Sequence, residues 1–309
     1  MMLPRELAEA LSHRFGDRAQ FGERLAPYLA YGVGGPADVL VFPSDVDDLV
    51  WIADRARNAR VPITVIGEGT NLLVLDGGVR GVVISLERAF RKIDIVRAMP
   101  DGGALIRCGG GVRKPELLDW AIDHGFAGLE FSSGVPGTIG GGIFMNAGTK
   151  YGCYGDILTR LTLFDFKAGP RELTREQAHF GYREQTAVGD SLVLWAELSL
   201  KAGDPAALRK ERDRIIRERA EKQPLDFPSC GSTFKNPPGL SAGRLIERAG
   251  LKGLCVGGAE ISDKHANFIL NKGGASALDI LTLIGIAKDR VYNEHKVHLE
   301  CEVIVLGSA

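Results

Sequence analysis

A charge surplus, which most polyanion-binding proteins carry, is missing here: 38 Lys and Arg stand against 39 Asp and Glu, a balance of −1. That argues against nucleic-acid recognition as the main function. No run approaches the roughly 18 consecutive apolar residues that a membrane-spanning helix needs. Residues 1–16 interleave Arg5, Glu6, Glu9 and Arg14 with apolar side chains, which predicts a short amphipathic helix and not a secretion signal. Cysteine is scarce and odd in number: Cys108, Cys153, Cys230, Cys255 and Cys301 have no CxxC spacing, and the six histidines form no HExxH pair. Neither a metal site nor a disulfide framework is expected, and a reducing cytoplasm is the simplest location.

What the chain does have is glycine, 40 of 309 residues and close to twice the usual share of roughly 7%. The length corresponds to about two domains, and 45% hydrophobic with 25% charged residues is ordinary for a globular protein with a sizeable core. Strand and helix alternate in the first third. Residues 37–43 form a strand ended by Pro43, and Ser44 caps a helix whose Val46, Leu49, Val50 and Ala53 recur at helical spacing. A strand at 61–66 runs into a glycine turn, the end of an α/β sheet where ligands usually bind, and 81–86 is a third strand. The middle third predicts strands at 93–96, 104–108, 161–166 and 192–200, with a helix opened by Pro115. After a linker at 202–205, the charged run 206–222 reads as a solvated helix held by i,i+4 pairs. A helix at 275–294 precedes a final strand at 298–306. Its alternation puts Leu299, Cys301, Val303 and Val305 on one face, with Glu300 and Glu302 together on the other.

Four glycine segments stand out: Gly32-Val-Gly-Gly-Pro36, Gly67-Glu-Gly-Thr-Asn71, Gly109-Gly-Gly111 and Gly134-Val-Pro-Gly-Thr-Ile-Gly-Gly-Gly142. None continues into the Lys-Ser/Thr of a Walker loop, and Leu72 stands where a dinucleotide fingerprint has its third glycine. Each alone fits a tight turn. Together, and with no basic cluster beside them, they predict a surface of main-chain N–H groups able to hold a diphosphate. A dinucleotide such as FAD, laid along several loops, is the economical ligand.

Gly67-Glu-Gly-Thr-Asn-Leu-Leu73, the stretch from Gly128 to Gly142, and Met145-Asn-Ala-Gly148 resemble the FAD-binding signatures of the UDP-N-acetylenolpyruvoylglucosamine reductase family. Pro228-Ser-Cys-Gly-Ser-Thr-Phe-Lys-Asn-Pro237, the stretch from Ala242 to Gly253, and Lys264-His-Ala-Asn-Phe-Ile269 are similar to its substrate-domain motifs, in the same order. The resemblance implies a mixed α+β fold. A two-part FAD-binding domain of the vanillyl-alcohol-oxidase type (1–87 and 88–203) is followed by a smaller UDP-sugar domain (204–309), whose last strand returns to the FAD site. It implies an NADPH-dependent flavoenzyme that makes UDP-N-acetylmuramate for peptidoglycan, tied to cell shape and division, with both substrates sharing one cavity in alternation. A monomer of the compact subtype is expected.

The resemblance also carries a site onto this chain. Arg183, Ser232 and Glu302 match the family's catalytic arginine, proton donor and glutamate. Cofactor contacts are expected at Gly67, Gly69, Thr70, Asn71, Leu72, Gly134, Pro136, Gly137, Thr138, Gly140, Gly141, Asn146, Ala147 and Gly148. Substrate contacts are expected at Lys235, Asn236, His265 and Asn267, with a purely structural role an equal alternative for His265 and Asn267. The chemistry asks for such groups. Hydride addition to C3 of an enolpyruvyl ether builds charge on C2 and its carboxylate, which suits a bidentate arginine. An acid must then protonate C2, and a serine needs a polarising neighbour, Lys235 being the nearest in sequence. Tyr151 and Tyr154 fit either cavity wall or ordinary loop. Two departures from the family pattern are Gly32, where a basic residue is frequent, and Gln185, where serine is common. Two other readings stay open: a different FAD-dependent oxidoreductase of the same broad class, and a non-catalytic nucleotide-sugar binder.

Overall fold

The computed structural model describes residues 3–308; Met1 and Met2, at the start of the expected N-terminal helix, lie outside the described residues. The remainder of that helix, α1 (Arg5–Phe15), turns Leu7, Leu11 and Phe15 inward. Then come β1 (Ala19–Phe21), β2 (Ala37–Val41), α2 (Val46–Ala59), β3 (Ile63–Ile66), β4 (Leu72–Val74) and β5 (Val79–Ser85). Four of these strands make a sheet in the order β1-β2-β5-β3, parallel except for the edge strand β1. Side-chain alternation divides it cleanly. Val39, Val41, Val82 and Ile84 pack under α1 and α2, whereas Leu40, Val83 and Ile66 face the opposite layer with Leu25 and Leu29. The cap of α2 is Asp45, not Ser44: its carboxylate accepts the Asp48 N–H at 2.8 Å, and Ser44 Oγ instead accepts from Arg18 at 2.6 Å.

The second unit runs through β6 (Ile93–Ala98), β7 (Ala104–Gly109), α3 (Lys114–Asp123), β8 (Phe126–Ala127), α4 (Ile139–Phe144), β9 (Gly148–Thr149), β10 (Gly152–Cys153) and α5 (Tyr154–Ile157). It continues through β11 (Leu158–Asp165), β12 (Gly169–Thr174), α6 (Arg175–Ala178), β13 (Phe180–Gly181), β14 (Glu184–Gln185) and β15 (Leu192–Ala202). An antiparallel sheet in the order β12-β11-β15-β7-β6 is covered on one face by α3 and α4, through Leu117, Ala121, Ile139 and Ile143. Phe164, Leu192 and Leu194 from its strands join the core under α1 and α2, so the two units share one apolar seam.

The last third holds α7 (Pro205–Lys222), α8 (Ala242–Arg248), the antiparallel sheet β16-β17-β18 (Cys255–Val256, Ala259–Ile261 and Ile269–Asn271), α9 (Ala277–His295) and β19 (Ile304–Leu306). Its core of Leu245, Ile246, Ile280, Leu283 and Val291 closes onto Tyr31 and Leu73 of the first unit. The expected long terminal strand is absent. Only Ile304–Leu306 is strand, paired in parallel with β4, and residues 299–303 are irregular apart from a bridge between Cys301 and Phe234. Strict alternation fails accordingly, with Val303 buried and Val305 exposed. No described helix is long and apolar enough to cross a membrane. Leu73 is fully buried between β19 and α9, so Leu73→Ala should cost about 2–5 kcal/mol. The exposed Leu278→Ala should stay within about 0.5 kcal/mol. Equal thermal midpoints for the two variants would show that the Leu73 side chain does not anchor β4 in the core of the last third.

Candidate active site

A cavity of about 1460 Å³ opens where the three units meet, larger than the roughly 300–1,000 Å³ of a typical small-molecule pocket. One wall is the turn between β3 and β4. Gly69 adopts a φ of +61°, and a Cβ there would stand 2.3 Å from the Tyr28 carbonyl oxygen. The N–H groups of Glu68, Gly69, Thr70 and Asn71 find no acceptor among the described residues. Four consecutive free donors beside a cavity make an anion cradle. The facing wall is the turn into α4, capped by Thr138, whose Oγ1 accepts from Gly141 N at 3.3 Å. The walls touch: a Cβ on Gly137 would stand 2.8 Å from Thr70 Oγ1, and Gly137 N donates to Glu68 at 2.8 Å. Glu68 is also ion-paired with Arg113.

Of the expected cofactor contacts, all but Gly134 and Asn146 line this cavity. Gly134 (φ +68°) instead makes room for Arg219, whose Nε would lie 3.3 Å from a Cβ there. Asn146 spends both ends of its amide on backbone, donating to Gly181 O at 2.8 Å and accepting from Gly155 N at 2.9 Å. Three of the four glycine segments do not form a surface of free amides. In the segment 134–142 the N–H groups of Val135, Gly137 and Ile139 donate to Ser132 O, Glu68 and Val112 O. Those of Gly140, Gly141 and Gly142 donate to Gly110 O, Thr138 Oγ1 and Thr138 O. The amides of Gly109, Gly110 and Gly111 donate to Lys92, Leu194 and Phe90. Those glycines are required by close packing, since a Cβ on Gly109 would meet Phe90 O at 1.7 Å. The amides of Gly32 and Gly35 are likewise spent, on Leu29 O and Leu75 O.

Arg183, Ser232 and Glu302 converge on the same cavity. Arg183 is the second residue of the tight turn joining β13 to β14, held at a left-handed φ of 56°. Such strain in a residue with a Cβ is characteristic of functional positions. Asn146 ties that hairpin to the end of α4. Arg183 Nε lies 2.8 Å from Glu302 Oε1, but its N–H is not aimed at the oxygen, so the contact is an ion pair and not an aligned hydrogen bond. Burial raises the pKa of Glu302, and the attraction of Arg183 and Lys235 only partly offsets it. Gln185 turns away from Arg183 and accepts from Val188 N at 2.6 Å.

The irregular backbone at 299–303 separates the two glutamates that alternation placed together. The Glu302 side chain is 16% exposed and faces the cavity; that of Glu300 is 72% exposed and pairs with Lys235 at 2.6 Å. Lys235 pairs with the exposed Glu300, and its charge also reaches Glu302 at the cavity. None of Lys235, Asn236, His265 and Asn267 lines the cavity. Asn267 is a buried clamp: its Oδ1 accepts from Phe234 N, its Nδ2 donates to Phe234 O, and its carbonyl accepts from Thr233 N. His265 Nδ1 accepts from Asn267 N, and Asn236 Oδ1 accepts from Ala242 N. Tyr154 is buried against Phe131, whereas Tyr151 is exposed and bonded to Glu218.

Among the cavity-lining cations that escaped the sequence reading are Lys114 and Arg219. The run containing Arg219 does form exposed pairs such as Glu218–Lys222, but Arg219 points inward, and burial together with Arg183 lowers its pKa. A left-handed glycine opposite it, Gly134, was the only available signal.

Comparison with known proteins agrees with this geometry. A family model for the UDP-N-acetylenolpyruvoylglucosamine reductase C-terminal domain matches residues 223–306, and one for an FAD binding domain matches residues 37–170. UDP-N-acetylenolpyruvoylglucosamine reductases of Clostridioides difficile and Moorella thermoacetica are 41% and 39% identical, each alignment covering 92% of both chains. The crystal structure of the Thermus caldophilus enzyme is 35% identical with a TM-score of 0.78, over 94% of this chain and 98% of that one. A cavity walled by a diphosphate cradle on one side and by Arg183, Ser232 and Glu302 on the other therefore sits in a flavin-dependent oxidoreductase: the chain belongs to the UDP-N-acetylenolpyruvoylglucosamine reductase family.

Proposed function

We propose that this chain uses NADPH and FAD to reduce the enolpyruvyl ether of UDP-N-acetylglucosamine to UDP-N-acetylmuramate, with Arg183, Ser232 and Glu302 as the reacting side chains. The observation that carries this reading is the convergence of those three groups on the cavity that also holds the free amides of Glu68–Asn71. The cradle fits FAD on physical grounds, because its donors are unspent and Gly67 stands where a Cβ would collide with Thr138 of the opposite wall. Bound and reduced, the coenzyme supplies the hydride that C3 of the enolpyruvyl group requires.

The remaining work falls to the protein. Arg183 receives the carboxylate of the ether and stabilises the negative charge that accumulates on C2 and the carboxyl oxygens. Its ion pair with Glu302 holds the guanidinium in place before substrate arrives. Ser232 donates its hydroxyl proton to C2. With Lys235 engaged by Glu300, the positive field that eases this transfer comes from the cavity cations Arg183 and Arg219. Glu302, whose pKa burial raises against the pull of Arg183 and Lys235, lies beside the guanidinium and steadies it where charge develops on the carboxyl group. Arg219 offers a second cation to the phosphates of the nucleotide substrates, which share the cavity in turn.

Half-reactions followed by flavin absorbance test the assignment. Ser232→Ala should leave flavin reduction by NADPH intact and slow reoxidation by the enolpyruvyl nucleotide by about 10²–10⁴-fold; equal damage to both halves would remove serine from the proton transfer. Glu302→Gln should lower turnover far more than Glu300→Gln, since Glu300 points to solvent; the reverse order would reassign the carboxylate. A shared cavity predicts parallel double-reciprocal lines in steady state, and intersecting lines would contradict alternate occupancy.

A further inference from the structure

Lys114, the first residue of α3, is only 6% exposed, yet its side chain forms part of the cavity wall. The chain of methylenes passes beneath α4: a Cβ placed on Gly142 would lie 3.1 Å from Cε, and one on Gly137 would lie 3.2 Å from Nζ. That Gly137 position is also 2.8 Å from Thr70 Oγ1. The ammonium thus sits where the two glycine walls meet, next to the turn whose four N–H groups are free. It has no carboxylate partner and no hydrogen-bond acceptor among the described residues. The one nearby acid, Glu68, is already taken by Arg113 and by Gly137 N, and the other charges it senses are the cations Arg183 and Arg219.

An ammonium on a buried stem, facing a cavity beside further cations and free amides, is stabilised by an anion placed there. Glu68, the nearby acid, is shared with Arg113 and Gly137 N, so a ligand's anion is the partner the site lacks. We propose that Lys114 is the ionic contact to the diphosphate of bound FAD, a cation added to the main-chain cradle. This rests on FAD occupying the cradle. The placement beside Thr70 and Gly137, at the turn of free amides, favours the diphosphate as its partner. In the free protein, burial pushes the Lys114 pKa down to about 8. A diphosphate arriving beside it favours the charged form and raises that value again. FAD affinity is therefore greatest below about pH 8 and falls as the ammonium deprotonates above it. The charged or titratable side chains facing Lys114 are Glu68, Arg113, Arg183 and Arg219, with Tyr154 across Gly142; burial moves the Tyr154 phenol further up, away from this window.

The test is titration of the flavin-stripped full-length chain with FAD and with riboflavin, which lacks phosphate, followed by flavin fluorescence across pH 7 to 9.5. Lys114→Met should weaken FAD at least tenfold at pH 7 in low salt, leave riboflavin unchanged and abolish the pH dependence, and Lys114→Arg should retain tight FAD. Unchanged FAD affinity in Lys114→Met, or an equal loss for FAD and riboflavin, would overturn the assignment. Should Lys114→Met fail to fold, the wild-type profile decides: a flat FAD affinity from pH 7 to 9.5 overturns it. A wild-type chain that binds no FAD at all would instead sink the cradle reading itself.

Discussion

One hydrogen-bonded node holds the site together. Asn71 Nδ2 donates to the Glu302 carbonyl at 2.8 Å, Ile304 N returns to the Asn71 carbonyl at 3.0 Å, and Glu302 N donates to the Thr233 carbonyl at 2.8 Å. These bonds join the turn that makes the amide cradle, the residue after Ser232, and the backbone of the cavity glutamate. The three segments lie far apart in sequence, so nothing local fixes their spacing. Each bond is worth only about 1 kcal/mol net, and together with the β4–β19 pairing and the Cys301–Phe234 bridge they fix one wall relative to another. Asn267 completes the arrangement from behind by clamping Thr233 and Phe234, and Cys230 donates to Leu72 O at 3.3 Å on the same seam.

The electrostatics follow from that node. The cavity lining, with Arg183, Arg219, Lys114, Arg113 and other cations against the acids Glu68, Glu87, Asp190 and Glu302, carries an excess of positive charge although the whole chain is nearly neutral. Low surrounding dielectric magnifies the effect. A polyanionic coenzyme and a polyanionic sugar nucleotide are both drawn to such a space. Net charge says nothing about such a charged interior.

Much of this was legible in the chain. The strand leading to Gly67 and the helix opened at Pro115 follow patterns readable before any coordinates, whereas the short strand out of Asn71 escaped them, and Arg183, Ser232 and Glu302 came from the family resemblance. What escaped had a common cause. Helical spacing says which face is apolar but not that a charged helix turns one arginine inward, so Arg219 was hidden among solvated neighbours. Glycine runs look alike whether their amides are free, as at 68–71, or spent on packing, as at 109–111. Strict alternation was assumed through 298–306, whereas the bridge at Cys301 and the turn after it rotate Glu302 inward and leave Glu300 in water. Asn267 and Asn146 were chosen as polar residues in the right motifs; their amides serve backbone that positions the site.

The central claim, that one cavity couples a reduced flavin to an unsaturated sugar-nucleotide acid, is tested most directly by an anaerobic single turnover of the wild-type protein. NADPH should bleach the oxidised flavin spectrum, and the colour should return only on addition of the enolpyruvyl sugar nucleotide, with one equivalent of product per flavin. A spectrum that stays bleached with that nucleotide, or that recovers equally with a saturated analogue, would contradict the account.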